Sequence, residues 1–159
     1  MYDIMIEMYE PGEAKNPEII SSGTMWPCIT IAIYDKKNKH CYMLHQPNAD
    51  HGDDFENFII NTLKRCNVKD VKVIVCGGAI AEEEGMESFN EDEEEIVSEE
   101  SEEMMSSDNV LDSRAHVEKL IEKYFNPKQC EVKWTKDGKT SELILDTSNG
   151  KYEIKYGKI

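Results

Sequence analysis

The chain has 159 residues, 39% of them hydrophobic, and a net charge of −15. This length suits one sizeable core, so residues 1–159 are predicted to form a single domain. No apolar run approaches the roughly 20 residues of a membrane span, and no basic stripe suggests a nucleic-acid partner. The acidic start is unlike a secretion signal, so a soluble, cytoplasmic protein without membrane insertion is predicted.

Strand patterns dominate the first third of the chain. Apolar residues alternate with polar ones at 3–9 and predict a strand, and residues 18–22 form a second extended piece. A bend containing Trp26-Pro27 leads into an alternating apolar strand that starts at Cys28. A polar turn at 35–38 then connects this strand to another that carries His45, so a hairpin is predicted.

The register of this hairpin decides whether it can hold a catalytic site. If Tyr34 pairs with Lys39, Cys28 lies directly across from His45, and directly opposed residues share a face. This register gathers the isoleucines on the other face, and a slip of one residue would turn His45 away from Cys28. A thiol beside an imidazole is the minimum for nucleophilic catalysis by cysteine, so the hairpin is the candidate site.

Two helices and four further strands are predicted in the rest of the chain. Apolar residues at helical spacing predict helices at 51–66 and 111–125, the second capped by Asp112 or Ser113. Strands are predicted at 68–76, 129–135, 141–147 and 151–156. Asp137-Gly138 and Asn149-Gly150 stand between the last three runs and are typical hairpin turns. This order predicts an α+β layered domain.

The negative charge is concentrated in one segment. Residues 82–103 contain thirteen acidic residues and no basic residue. Asp108 and Asp112 raise the count to fifteen, which equals the whole net charge, so the rest of the chain is balanced. Residues 82–108 are therefore predicted to be a flexible acidic insertion, and the alternative is an element that recruits a basic partner.

The features around Cys28 resemble the CheD family, the chemoreceptor glutamine deamidases. Cys28 and the apolar strand that runs from it to Tyr34-Asp35 are similar to a family segment in which Gly-Ser-Cys is followed by a hydrophobic strand and Tyr-Asp. His45 follows Cys28 at the family spacing of seventeen residues. Gly77-Gly78-Ala79 matches a family Gly-Gly-Ala, and Ser113-Arg114 is similar to its Gly-x-Arg-Asn helix start. The chain ending at 143–154 also resembles the family's closing strands.

The sequence departs from the family pattern beside the candidate nucleophile. Trp26-Pro27 stand where the family has Gly-Ser, and Ser22 stands where the family has threonine. Gln46-Pro47 follow His45, where the family usually has Met-Leu-Pro.

The resemblance implies a fold and a reaction. The fold would be a CheD-like layered sandwich of mixed and antiparallel β-sheet flanked by helices. The reaction would be hydrolysis of a protein glutamine side chain to glutamate through a cysteine thioester, with Cys28 as nucleophile, His45 as acid and base, and Ser22 orienting the imidazole. Thr24 and Trp26 would contact substrate. No metal or organic cofactor is implied, and the implied partners are chemoreceptor-like substrate proteins and a CheC-like regulatory protein.

Two other interpretations stay open. The chain could keep the fold as a binding or regulatory module with weak or no catalysis and use its acidic segment on a basic protein. His40 and Cys41 with His45 suggest a metal site, although neighbouring strand residues point to opposite faces.

His51 and His116 lie near predicted helix starts and are expected to be exposed or to cap helices. The five cysteines show no close-spaced framework and are expected to be reduced.

Overall fold

The structure, a computed structural model, describes residues 2–47, 54–80 and 107–158. Within these ranges the chain has an α+β fold of nine strands and two α-helices. The strands are β1 (Ile4–Met5), β2 (Gly12–Lys15), β3 (Ile19–Ser21), β4 (Ile29–Asp35), β5 (His40–Gln46), β6 (Val71–Gly77), β7 (Cys130–Trp134), β8 (Lys139–Asp146) and β9 (Tyr152–Lys158). The helices are α1 (Asp54–Leu63) and α2 (Ser107–Tyr124), and short 3-10 turns precede β6 and β7.

The strands form two stacked sheets, and the helices cover one of them. The larger sheet has the order β2-β5-β4-β6-β7, and the smaller has the order β1-β3-β8-β9. Only the β6–β7 and β1–β3 pairs are parallel among the described strands. One apolar cluster joins the helices to the larger sheet, and a second cluster lies between the two sheets. The architecture is therefore a three-layer sandwich.

Strand β4 lies at the centre of this sandwich, and all seven of its residues are buried. Ile29, Ile31 and Ile33 face the helical layer, and Ala32 and Tyr34 face the smaller sheet. The alternation follows from the period of two in a strand, which sends successive side chains to opposite faces. Both faces of β4 are therefore core.

The helices pack because apolar residues recur every three or four positions. Helix α1 buries Phe55, Phe58 and Ile59 against the sheet, and α2 buries residues such as Val117 and Ile121 beside them. The two helices also meet at Glu56, which accepts hydrogen bonds from Lys123 Nζ and Tyr124 Oη at 2.8 and 2.6 Å.

Several predicted boundaries differ from the structure. The first predicted strand, 3–9, is reduced to Ile4–Met5, and strand β2 was not predicted. Strand β2 is an edge strand that pairs with β5, which a local alternation pattern does not reveal. Helix α2 begins at Ser107, one turn before the predicted start, so Asp112 and Ser113 lie inside it and do not cap it.

One predicted hairpin is wrong and another is confirmed. Asn149-Gly150 joins the antiparallel strands β8 and β9 as predicted. Asp137-Gly138 instead carries the chain from one sheet to the other, because β7 pairs with β6 and β8 pairs with β3 and β9. A turn dipeptide fixes the reversal of the chain but not which strands then pair.

The predicted acidic insertion 82–108 lies outside the described residues except for its last two positions, which begin α2. Its flexibility stays a prediction, as does the single-domain assignment. No helix in the described ranges combines the length and hydropathy needed to cross a membrane.

A buried hydrogen bond connects the two sheets, and its loss should be measurable. Tyr34 Oη donates to the Thr147 carbonyl at 2.6 Å. We expect Tyr34→Phe to lower the free energy of unfolding by about 1–3 kcal/mol, because the buried carbonyl loses its donor. Chemical denaturation measures this. Tyr156→Phe is the matched control, since Tyr156 is 57% exposed and its change should stay within about 0.5 kcal/mol. Equal effects of the two changes would contradict the assigned role of Tyr34.

Candidate functional site

The hairpin register differs from the prediction by two residues. Thr30, and not Cys28, lies directly opposite His45 in the β4–β5 ladder. Because the shift is even, Cys28 and His45 still point to the same face, towards the smaller sheet. Cys28 is a diagonal neighbour of His45, a relation in which strand residues are roughly 7–8 Å apart. The shared face was predicted correctly, and the direct opposition was wrong.

The Asp35 side chain accounts for this register. Its carboxylate accepts hydrogen bonds from the Lys37 and Asn38 backbone amides at 3.1 and 3.3 Å. Asp35 thus ends strand β4, paired with His40, and organises the turn that follows it. Aspartate commonly stabilises turns by accepting from the backbone two residues later. The loop consists of residues 36–39, one position later than predicted.

His45 is held in one orientation by the main chain. Its Nδ1 lies 2.7 Å from the Ser22 carbonyl oxygen. A carbonyl can only accept, so Nδ1 carries the proton and Nε2 keeps its lone pair in the neutral ring. Burial lowers the pKa of His45, and the bond to the carbonyl offsets this only in part. At neutral pH the ring is therefore uncharged, with Nε2 available as a base.

Cys28 sits at the entrance to β4 and is 7% exposed. Burial raises the pKa of its thiol to about 11, and a hydrogen bond from its own backbone amide opposes the rise. Within the described part of the chain, no hydrogen bond joins the Cys28 thiol to the His45 ring. The shifts of both groups favour the neutral pair over a thiolate–imidazolium pair.

Two glycines, one that ends β6 and one that follows it, form the wall beside Cys28. The Gly78 amide donates to the Cys28 carbonyl at 2.8 Å, and the Ala79 amide donates to the Trp26 carbonyl at 3.1 Å. Gly77 has a φ of +93°, and a Cβ there would lie 2.2 Å from the Cys28 carbonyl oxygen. The Gly-Gly-Ala segment noted in the sequence thus fixes the backbone that carries the candidate nucleophile.

Arg114 secures this wall from helix α2. Its guanidinium donates to the Gly78 carbonyl, with the Nε contact at 2.9 Å. It also reaches the Thr135 carbonyl at 3.3 Å and lies over the Trp134 ring. Arg114 therefore ties the glycine turn to the helix and to the end of β7. The resemblance to CheD had singled out Arg114, although in this chain it lies well inside the helix.

Ser22 contacts His45 through its main chain and not through its side chain. The Ser22 hydroxyl donates to the Gly23 carbonyl at 2.8 Å and accepts from the Leu143 amide at 2.9 Å. The predicted hydrogen bond from the Ser22 hydroxyl to the imidazole is therefore wrong, because the backbone carbonyl of Ser22 makes this contact instead. The hydroxyl instead continues the pairing between β3 and β8, which holds the Ser22 carbonyl in front of His45.

The two predicted substrate contacts lie on the bend before Cys28. Thr24 is exposed, and Trp26 is half-buried. The Trp26 indole Nε1 is buried and has no hydrogen-bond partner among the residues with described positions. Native proteins leave few buried donors unpaired, so this N–H marks Trp26 as a group that can meet a ligand.

Thr30 was missed as a member of this site. It lies directly opposite His45 on one side and Cys76 on the other. Its hydroxyl contacts Met25 Sδ at 2.6 Å. The alternation of β4 does place Thr30 on the same face as Cys28. Thr30 was missed because the predicted register paired His45 with Cys28 instead of Thr30.

The histidine and cysteine positions do not form a metal centre in the described part of the chain. No group of three His, Cys, Asp or Glu side chains is placed there to hold an ion. His40 Nε2 contacts Glu13 at 2.8 Å, and Cys41 is buried between the sheets. His116 lies within α2 and not at its start, and His51 lies outside the described residues.

Comparisons with known proteins add little to this geometry. No protein-family model and no curated protein matches the chain. Among solved structures, the hypothetical protein YfiH of Bacillus licheniformis is similar, with a TM-score of 0.41 and 8% identity. The match covers 79% of this chain and 49% of YfiH, so the chain spans about half the length of that protein. The resemblance to CheD therefore stays a sequence-based hypothesis.

The glycine wall allows a matched pair of substitutions. Gly77 and Gly23 both have positive φ, so alanine at either position should cost roughly 1–2 kcal/mol in backbone strain. At Gly23 the nearest atom to a new Cβ is the flexible Met5 sulfur at 3.3 Å, whereas at Gly77 it is the Cys28 carbonyl. We expect Gly77→Ala to lose a further 1–3 kcal/mol, roughly the cost of overpacking. Urea denaturation measures both, and equal losses would contradict the close contact with Cys28.

The burial of Cys28 predicts a slow and strongly pH-dependent alkylation. Iodoacetamide reacts with the thiolate, and the Cys28 pKa of about 11 keeps that form scarce near neutral pH. The labelling rate, followed by peptide mass spectrometry, should still rise above pH 10. In denaturant the same residue should label with an ordinary pKa of roughly 8.5. Rapid labelling of the folded protein at pH 7 would contradict the assigned burial.

Proposed function

We propose that the chain is a cysteine hydrolase that deamidates glutamine side chains of another protein, as the CheD resemblance implies. The observation that carries the proposal is the fixed His45 ring, whose Nδ1 is bonded to the Ser22 carbonyl. Its basic Nε2 shares a face with the Cys28 thiol. A base oriented by a third group beside a nucleophile is the arrangement that thiol catalysis requires.

The proposed reaction starts from neutral groups. Because burial raises the pKa of Cys28 and lowers that of His45, the thiol proton passes to Nε2 as sulfur attacks the amide carbon. The protonated ring then gives this proton to the departing ammonia. Water, deprotonated by Nε2, attacks the thioester and releases glutamate, and the thiol recovers its proton. The net change is amide plus water to acid plus ammonia, and no metal or organic cofactor takes part.

The amide oxygen needs hydrogen-bond donors while it carries negative charge. Pro27 has no backbone N–H to offer, and the Gly78 amide is already bonded to the Cys28 carbonyl. The Trp26 indole N–H, buried without a partner among the described residues, is the available donor. In the proposal Trp26 thus takes the place of the small residues that CheD proteins have before the cysteine, and Thr24 contributes at the exposed rim.

The proposal extends to the setting of the reaction. All five cysteines of the chain are free, which suits the cytoplasm, where thiols stay reduced. The substrate would be a folded protein with exposed glutamine side chains, such as a chemoreceptor-like helix. A CheC-like protein is the proposed regulatory partner.

A second candidate function rests on a specific feature of the site. Cys28 has a raised pKa and no hydrogen bond to the described His45 ring, which is the state of a thiol that is not activated. In that case the chain is a CheD-like binding or regulatory module, and its acidic segment engages a basic protein. The two candidates differ in whether glutamine is converted.

The deciding experiment is mass spectrometry of candidate receptor fragments after incubation with the protein. Deamidation should raise the mass by about one dalton at individual glutamines, since an amide becomes an acid. The activity should disappear in Cys28→Ser and His45→Ala and persist in Cys66→Ser, which removes a half-buried thiol elsewhere. Conversion that survives Cys28→Ser would refute the mechanism. No conversion with the unmodified protein would favour the binding module.

A further inference from the structure

A basic cleft lies between the end of β7, the start of β8 and the end of β9. It has a volume of about 540 Å³ and is lined by Trp134, Lys136, Lys139, Tyr156, Gly157 and Lys158. Three of these six residues are lysines, and none is acidic. The volume falls within the range of sites that bind ligands. Such a concentration of positive charge is notable in a chain with a net charge of −15.

Two lysines of this cleft are held close together although their positive charges repel each other. Lys139 and Lys158 lie directly opposite each other in the β8–β9 ladder. Like charges in this relation destabilise a sheet. Within the described ranges, neither of them nor Lys136 forms an ion pair. An anion bound between them would convert this repulsion into attraction.

Two aromatic residues line the cleft: Trp134 is held in place by its neighbours, and Tyr156 is exposed. Trp134 is held by a hydrogen bond from its Nε1 to Glu118 at 2.8 Å and by Arg114 over its ring. Tyr156 is 57% exposed, so most of its ring is open to a ligand. A ligand with carboxylates and occasional apolar side chains would use both kinds of lining residue.

Ile80, the last described residue before the acidic stretch, is hydrogen-bonded to the turn between two lysines of this cleft. The Gly138 amide, between Lys136 and Lys139, donates to the Ile80 carbonyl at 2.9 Å. Glu82 follows Ile80 by two residues, and each residue can span at most about 3.6 Å. The stretch 82–103, with its thirteen acidic residues, is tethered at this point, and a short tether gives an effective concentration of about a millimolar.

We propose that the basic cleft is a receptor for a carboxylate-rich peptide and that its occupant is the acidic stretch 82–103 of the same molecule. Charge complementarity and the tether at Ile80 favour this occupant over an external anion, which the net charge of the chain would repel. Neither Cys28 nor His45 lines the cleft, and this proposal does not depend on the proposed function. It gives the acidic stretch a binding site within its own chain.

Acetylation of individual lysines in the full-length protein tests this proposal. At low salt, Lys139 and Lys158 should acetylate about threefold more slowly than in a full-length variant whose acidic residues at 82–103 are replaced by Gln or Asn, as expected for a tethered ligand on a weak site. The exposed Lys151 and Lys155 should react equally in both proteins, and matching circular dichroism spectra show that both are folded. Peptide mass spectrometry gives the rates.

Salt, concentration and a matched control complete the test. Salt at 1 M shortens the screening length to about 3 Å and should remove the protection. Glu153→Gln, which neutralises an exposed acid on β9, should leave the protection intact. Equal rates for Lys139 and Lys158 in the unmodified protein and the neutralised variant would overturn the proposal. Protection that appears only at high protein concentration would also overturn it, because the contact would then join separate molecules.

Discussion

The burial of β4 on both faces is the constraint on which the rest of the structure depends. A strand with two covered faces must supply apolar or satisfied side chains at every position. Three isoleucines of β4 pack against the helices. Each contributes roughly 1.5–3 kcal/mol to the stability of the fold because its side chain is removed from water. The opposite face meets the smaller sheet, where Tyr34 reaches the Thr147 carbonyl. The two core clusters are therefore held together by one strand.

The same constraint shapes the candidate site. Cys28 enters β4 on its inter-sheet face, so the thiol is fixed by backbone contacts with the glycine wall and removed from water. Fixed position favours an oriented attack, whereas burial favours the neutral thiol. Two effects also act on His45: the Ser22 carbonyl orients its ring, and burial keeps the ring uncharged. The site is organised in geometry without being ionised in advance.

The charges of the chain are divided between two parts. The acidic stretch carries the net charge, and the described residues include a cleft with three lysines and no acid in its lining. Both the cleft and the Cys28 wall connect to the segment after β6: Gly78 contacts Cys28, and Ile80 contacts Gly138. This segment thus runs from the candidate catalytic residue to Ile80, the last described residue before the acidic stretch.

Periodicity in the sequence determined which residues share a face. The alternation through β4 and β5 placed Cys28 and His45 on one side, and an even register shift cannot change that. The spacing of apolar residues likewise located both helices, since a buried stripe requires it. Only the tertiary structure decided which residue opposes His45, because the Asp35 turn sets the register through hydrogen bonds that alternation does not encode. It also decided that Asp137-Gly138 crosses between sheets, that β2 exists, and that the Ser22 main chain orients the imidazole. Each of these depends on pairing between distant segments, which no local pattern specifies.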